Sequence, residues 1–285
     1  MTAARPDRRQ ERTGGSIQGE PTVSVVIPAK NEARNLPDVF GALPPGLHEV
    51  ILVDGSSTDD TVEVARRLLP GIRVIGQTRK GKGNALACGF GAATGDIIVM
   101  LDADGSTDPA EIPRYVEAVV QGADFAKGSR FLPGGGSSDI SRVRQLGNYF
   151  LNKVVNVLYK TSYTDLCYGY NAFRRSCLGV MDLDAGSPGA ADSGEMLWGD
   201  GFEVETLINV RIAKAGLAVA EVPSFEKSRQ YGTGNLNAFS DGMRVLRTIQ
   251  AERSRAARRE AMSNVVPVRP AESSGVVLAL AEEAS

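Results

Sequence analysis

The feature that most constrains this chain is an alternation. Short β-branched runs recur through the first half, each ends at a polar turn, and a helical stretch follows. Thr22-Val-Ser-Val-Val-Ile27 stops at Pro28, His48-Glu-Val-Ile-Leu-Val53 stops at Asp54, and Asp96-Ile-Ile-Val-Met-Leu101 runs into Asp102-Ala-Asp104. Apolar runs this short and continuous fit strands buried on both faces. Residues 72–75, 124–127 and 217–222 read as further strands. Helices are expected over 32–43, 81–93, 109–122, 143–159, 203–215 and 238–251, with another capped by Ser57 or Thr58 and reaching Leu69. Such alternation predicts an α/β fold, a single doubly wound domain whose mostly parallel central sheet is flanked by helices. In sheets of that kind ligands bind beyond the carboxyl ends of the strands. Asn31, Glu32, Asp54, Lys82, Asp102 and Asp104 all fall there.

The rest of the composition narrows the function classes. Net charge is −2 in 285 residues, so there is no general electrostatic reason to expect a nucleic-acid partner. Cys88, Cys167 and Cys177 are too few and too scattered for a disulfide framework or a zinc site, which fits a reducing cytoplasm. His48 is the only histidine, so chemistry needing two is excluded. No apolar run approaches the ~20 residues that span a bilayer. The Arg-rich start has no apolar core for a signal peptide. The domain is expected over 21–252, with disordered tails at 1–20 and 253–285. Residues 185–194, small and polar, read as a mobile loop. The 143–159 helix can pack in the core or, with Arg142, Arg144 and Lys153 beside apolar residues, lie on a membrane surface.

Several short patterns carry chemistry. Asp102 and Asp104 follow a strongly apolar strand, and two carboxylates so spaced can hold one hard divalent cation through oxygen. Asp-x-Asp is also a common turn. Asp54 can accept hydrogen bonds from a base or ribose, or belong to an ordinary strand-to-helix turn with Ser57, Thr58 and Asp59. Gly81-Lys-Gly-Asn84 offers backbone donors and a cation at a helix start, where anions are favoured, without P-loop spacing. Glu203 and Glu205 cannot share a helix face, so one is expected at the site and the other capping or solvated. Arg229 near Gly232 can reach phosphate or sit on the surface.

Together these pieces resemble the family 2 glycosyltransferases of GT-A fold. The matching segments are Val25-Val-Ile-Pro-Ala-Lys-Asn-Glu32, Val53-Asp-Gly-Ser-Ser-Thr-Asp59, Gly81-Lys-Gly-Asn-Ala-Leu86, Thr94-Gly-Asp96 and Leu101-Asp-Ala-Asp104. The second half is similar to the dolichyl- or polyprenyl-phosphate sugar synthases, through Gly128-Ser-Arg-Phe-Leu-Pro-Gly-Gly135, Arg144, Asp165, Gly169, Phe173-Arg174, Phe202–Glu205 and Arg229-Gln-Tyr-Gly232. Two positions depart from that pattern: Asn235 stands where the branch has lysine, and Asn148 where it has serine. The resemblance implies a nucleoside-diphosphate sugar donor, Mg or Mn, inversion at the anomeric carbon, and a glycan or lipid-phosphate acceptor. It implies that Pro28, Asn31, Glu32 and Asp54 hold the nucleoside, and that Lys82 and Asp102 face ribose or diphosphate. Asp104, with Asp102, would bind the metal. Arg130, Arg144 and Arg229 would contact phosphates, Arg144 on the acceptor side.

A phosphate acceptor is already ionised and needs no protein base, whereas a sugar hydroxyl must lose its proton to a carboxylate. Asp165 and Glu203 are the candidates for that role. A lipid acceptor would place the enzyme at the inner face of the plasma membrane. One rival, a sugar-phosphate nucleotidyltransferase, should carry a Gly-rich, Arg-containing signature after the first strand, where this chain has Pro28-Ala-Lys-Asn-Glu32. Another, a non-catalytic nucleotide-binding component of a polysaccharide-assembly complex, has no need of both Asp102 and Asp104.

Overall fold

The computed structural model describes residues 19–186, 196–232 and 238–263. Most of the two expected tails, most of the 185–194 loop, and Asn235 lie outside these residues.

Seven strands form the main sheet, in the order β3-β2-β1-β4-β7-β5-β8. They are β1 (Val23–Ala29), β2 (Glu49–Asp54), β3 (Arg73–Gly76), β4 (Ile97–Met100), β5 (Phe125–Ser129), β7 (Asn171–Arg174) and β8 (Val219–Pro223). A two-stranded piece pairs β6 (Gly136–Ser137) with β9 (Phe225–Glu226). β1 runs parallel to β2 and β4, with Val25 opposite both Val50 and Val99. Side chains alternate across the pleat, which is why the centres of these strands are apolar at consecutive positions. Val25 and Ile27 pack with Leu36 and Val39 of α1 (Leu36–Gly41), Val64 of α2 (Thr61–Leu68) and Tyr115 of α4 (Ile112–Val120). Val26 faces the other way, with Leu86 and Phe90 of α3 (Lys82–Ala92) and Ile208 of α7 (Val204–Lys214). The sheet is therefore covered on both faces, as the alternation predicts.

Strand β7 was not legible in the sequence. It has four residues, one of them Asn171, and it inserts antiparallel between β4 and β5. Its first residue therefore meets the carboxyl ends of its neighbours. Phe173 on this strand is fully buried between Phe90, edge-on at 5.1 Å, and Phe125, stacked at 5.8 Å.

Two other expectations need correction. Ser57 and Thr58 do not cap α2, whose N-cap position is Asp60. Instead the Ser57 hydroxyl accepts from the Asn31 N–H at 3.0 Å and the Thr58 N–H donates to Asn31 Oδ1 at 2.8 Å. These bonds hold Asn31 at φ 58°, a left-handed conformation that Asn tolerates better than most residues. The last helix, α8 (Ala238–Ser263), runs well past its expected end.

The helix α5 (Arg142–Tyr159) is inverted relative to a packed surface helix. Its buried face carries Asn148, Asn152, Leu151 and Val155, and Asn152 Nδ2 donates to the Thr164 carbonyl at 2.7 Å. Val143, Leu146, Tyr149, Phe150 and Val157 point to solvent. The apolar stripe expected to pack in the core is thus largely exposed.

Removing the Phe173 ring leaves a void lined by two other rings. Phe173→Ala is expected to lower unfolding free energy by about 3–5 kcal/mol, read from urea denaturation.

Candidate active site

The carboxyl ends of β1, β2 and β4 open into one cavity of about 1170 Å³. Pro28, Asn31, Glu32, Lys82, Asp102, Asp104, Arg130, Arg144 and Arg229, all singled out from sequence, line it. Asp54 does not. Its carboxylate turns back onto the Ser57 N–H, 3.3 Å from each oxygen.

Two short charge chains cross the cavity floor. In the first, Lys82 Nζ lies 2.7 Å from Asp102 and 2.9 Å from Glu205. Burial alone would depress this ammonium, but Asp102 and Glu205 outweigh it and hold it well above its ordinary range. Lys82 is therefore a fixed positive charge rather than a proton donor near neutrality. Glu205 is itself raised by burial, against the pull of Lys82. In the second chain, Arg229 lies 2.8 Å from Asp104 Oδ2 and 3.1 Å from Glu32 Oε1. Burial would raise Asp104, but the Ser106 hydrogen bonds, Arg229 and Lys82 hold it low. Glu32 stays raised, by burial first and by the Asp104 charge as well, despite Asn35 and Arg229. Four carboxylates against two cations leave a formal charge of −2 with all of them ionised.

The glycines beside Lys82 do something other than cradle an anion. A Cβ on Gly83 would lie 1.8 Å from the Gly199 carbonyl oxygen, and one on Gly81 2.0 Å from that of Asp200. The Gly83 N–H donates to the Asp200 carbonyl at 2.7 Å. The turn is glycine-rich so that the 199–201 backbone can lie on the first turn of α3. Arg79 clamps that segment through Asp200, at 2.8 and 3.0 Å.

Both candidate bases have other partners. Glu203 does not line the cavity. Its Oε1 accepts from the N–H groups of Gly199 and Gly201, at 3.1 and 3.3 Å, so it braces the same segment. Of the two glutamates, Glu205 is the one facing the site. Asp165 is wholly buried and takes four hydrogen bonds: from Arg130 Nε at 2.7 Å, Nη2 at 2.9 Å and backbone N–H at 3.1 Å, and from Asn148 Nδ2 at 3.0 Å. It positions Arg130 and has no free lone pair aimed at the cavity. Glu226, which the sequence did not flag, completes the cage at 3.0 Å from Arg130 Nη1. Arg144 pairs with Asp139 at 3.1 Å at the cavity rim. Cys167 also lines the cavity and is exposed there.

A divalent ion suits this donor set. Asp102 and Asp104 offer hard oxygen ligands, and magnesium-like ions are commonly held by one or two carboxylates, with phosphate and water completing the shell. No group of three or more acidic, histidine or cysteine ligands exists among the described residues, so the remaining coordination would come from substrate.

A doubly wound sheet whose strand ends gather an acidic pair and arginines in one cleft is the arrangement of the GT-A fold. The chain belongs to glycosyl transferase family 2, whose model matches residues 24–180. It is 33% identical over 233 residues to an undecaprenyl-phosphate mannosyltransferase of Micrococcus luteus, covering 79% of this chain and 91% of that one. It is 31% identical over 246 residues to a polyprenol monophosphomannose synthase of Mycolicibacterium smegmatis, covering 81% and 88%. A glucosyl-3-phosphoglycerate synthase from Mycobacterium tuberculosis, solved with Mn2+, UDP-glucose and phosphoglyceric acid, shares the fold with a TM-score of 0.61 at 24% identity, covering 81% and 79%. Family membership sets aside the nucleotidyltransferase reading, and the chain is a glycosyltransferase.

If Asp165 acts by caging Arg130, its loss leaves a buried guanidinium with Glu226 as its one remaining carboxylate partner and removes the bidentate pair. Asp165→Asn is expected to destabilise the fold by about 3–5 kcal/mol in thermal or urea unfolding. A dispensable general base would leave stability near wild type.

Proposed function

We propose that this enzyme transfers a hexosyl unit from a nucleoside-diphosphate sugar to a polyprenyl phosphate, by a metal-dependent, inverting single displacement at a membrane surface. The observation that carries the reading is the shared cavity, in which the strand-end acidic pair and several arginines face one space. A divalent ion held by Asp102 and Asp104 would supply Lewis-acid stabilisation to the leaving diphosphate. Lys82 adds a fixed charge beside Asp102, already oriented before substrate arrives. Arg130, held rigid by Asp165 and Glu226, and Arg144 at the rim provide guanidinium groups suited to phosphate.

The acceptor assignment rests on proton accounting. A sugar hydroxyl would need a protein base, but Asp165 and Glu203 are occupied, and Glu205 is tied to Lys82. A phosphate needs none. The names of the full-length relatives support the same acceptor class. Asn148, where the branch has serine, donates one amide N–H to Asp165 and accepts from the Cys167 N–H, and it lines the cavity with its second amide hydrogen unassigned.

The exposed stripe of α5 supports the membrane contact. Val143 and Leu151 line the cavity, so this helix joins its mouth to the apolar surface at Leu146 and Phe150. An exposed apolar stripe beside Arg142 and Lys153 suits an interfacial helix. Among the described residues no helix is long and apolar enough to cross a membrane.

Asp104→Ala is expected to lower transfer at least about 100-fold with the fold intact by circular dichroism, and excess Mn2+ should not restore it. Near-native turnover of that variant would sink the metal role. Transfer to a sugar hydroxyl but not to polyprenyl phosphate would refute the acceptor. Wild-type protein should float with anionic vesicles, and Leu146→Glu with Phe150→Glu should abolish flotation. Wild-type protein remaining at the bottom of the gradient would remove the membrane contact.

A further inference from the structure

Arg229 stands where a metal ligand would be needed. Of the two Asp104 oxygens, Oδ1 accepts the Ser106 N–H at 3.0 Å and Oδ2 is 2.8 Å from Arg229 Nη2. The other terminal nitrogen of the same guanidinium lies 3.1 Å from Glu32. A cation already neutralises the carboxylate that would grip the ion, and it also keeps Glu32 and Asp104 from repelling each other.

We infer that Arg229 is a built-in counter-ion for Asp104, exchanged when a divalent ion binds, and that the exchange delivers its guanidinium to the substrate phosphates. The inference rests on the metal reading above and adds an order of events to it.

Three observations separate Arg229 from Lys82, the other cation on the cavity floor. Lys82 rises from the first turn of α3 between two carboxylates, and its side chain is 15% exposed. Arg229 lies beyond β9 and is 29% exposed, so it has room to turn. Its backbone neighbours are held by contacts other than the Arg229–Asp104 pair. The Lys227 N–H donates to the Ser106 carbonyl at 2.8 Å, Lys227 Nζ pairs with Asp108 at 2.7 Å, and the Tyr231 ring lies under Arg34 at 4.1 Å. Release therefore needs only side-chain rotation.

Like-charge repulsion favours the exchange. A dication held by Asp104 would share that carboxylate with the Arg229 guanidinium, which lies 2.8 Å from Asp104 Oδ2, and two cations that close repel. The freed guanidinium then meets an anion, the diphosphate or an acceptor phosphate, on the open side of the cavity, where it can bind two oxygens at once.

Mn2+ binding to nucleotide-free protein, followed by electron paramagnetic resonance or calorimetry, tests this without a turnover assay. Arg229→Met is expected to bind Mn2+ at least about tenfold more tightly than wild type, because no resident cation must be displaced, while Asp104→Asn loses binding. Unchanged or weaker binding by Arg229→Met, with Asp104→Asn still defective, would overturn the exchange and leave the metal site standing. Wild-type affinity in Asp104→Asn would overturn the metal reading itself. A second measurement uses the unaltered chain: phenylglyoxal modification mapped by mass spectrometry should be faster at Arg229 with Mn2+ than without it. An equal or slower rate would count against the exchange even if the methionine variant failed to fold.

Discussion

The site depends on gathering like charges at one edge of a sheet. Parallel β1, β2 and β4 all release their chains on the same side, so Glu32, Asp102 and Asp104 converge there before any side-chain chemistry begins. Carboxylates brought so close repel one another, and burial sharpens the cost. The structure meets that cost with two cations from distant parts of the chain, Lys82 and Arg229, and leaves a net negative cleft open to a dication.

The packing around that cleft follows from the same need for rigidity. The segment 199–201 is pressed against α3 through two glycines, clamped by Arg79 on Asp200 and braced by Glu203. This keeps Glu205, in the first turn of a largely buried helix, within reach of Lys82. On the other wall, Asp165 and Glu226 immobilise Arg130, a buried pair whose worth lies in fixed geometry more than in net stability. The polar underside of α5 completes that wall, with Asn148 joined to Asp165. Turning its asparagines inward forces its apolar residues outward, so one helix serves both the cavity and an apolar exterior.

Much of this was legible in the residues. Val25, Val26 and Ile27 announce a strand covered on both sides, and the acidic turn after Met100 announces the site. Strand β7 was hidden because four residues containing Asn171 carry no periodicity, and its antiparallel place comes from pairing with β4 and β5 rather than from its own pattern. Asp165 and Glu203 looked like bases because sequence shows a carboxylate but not its hydrogen-bond partners. Glu226 gave no signal at all, since its role exists only through Arg130, 96 residues away.

The sequence by itself therefore determined the alternation, the two-sided burial of the central strands and the edge where chemistry is concentrated, because all three follow from local periodicity and from where apolar runs stop. Only the tertiary structure decided which charges meet. Arg229 and Asp104 lie 125 residues apart, and whether an arginine waits on a phosphate or on a carboxylate depends on distances that no local pattern encodes.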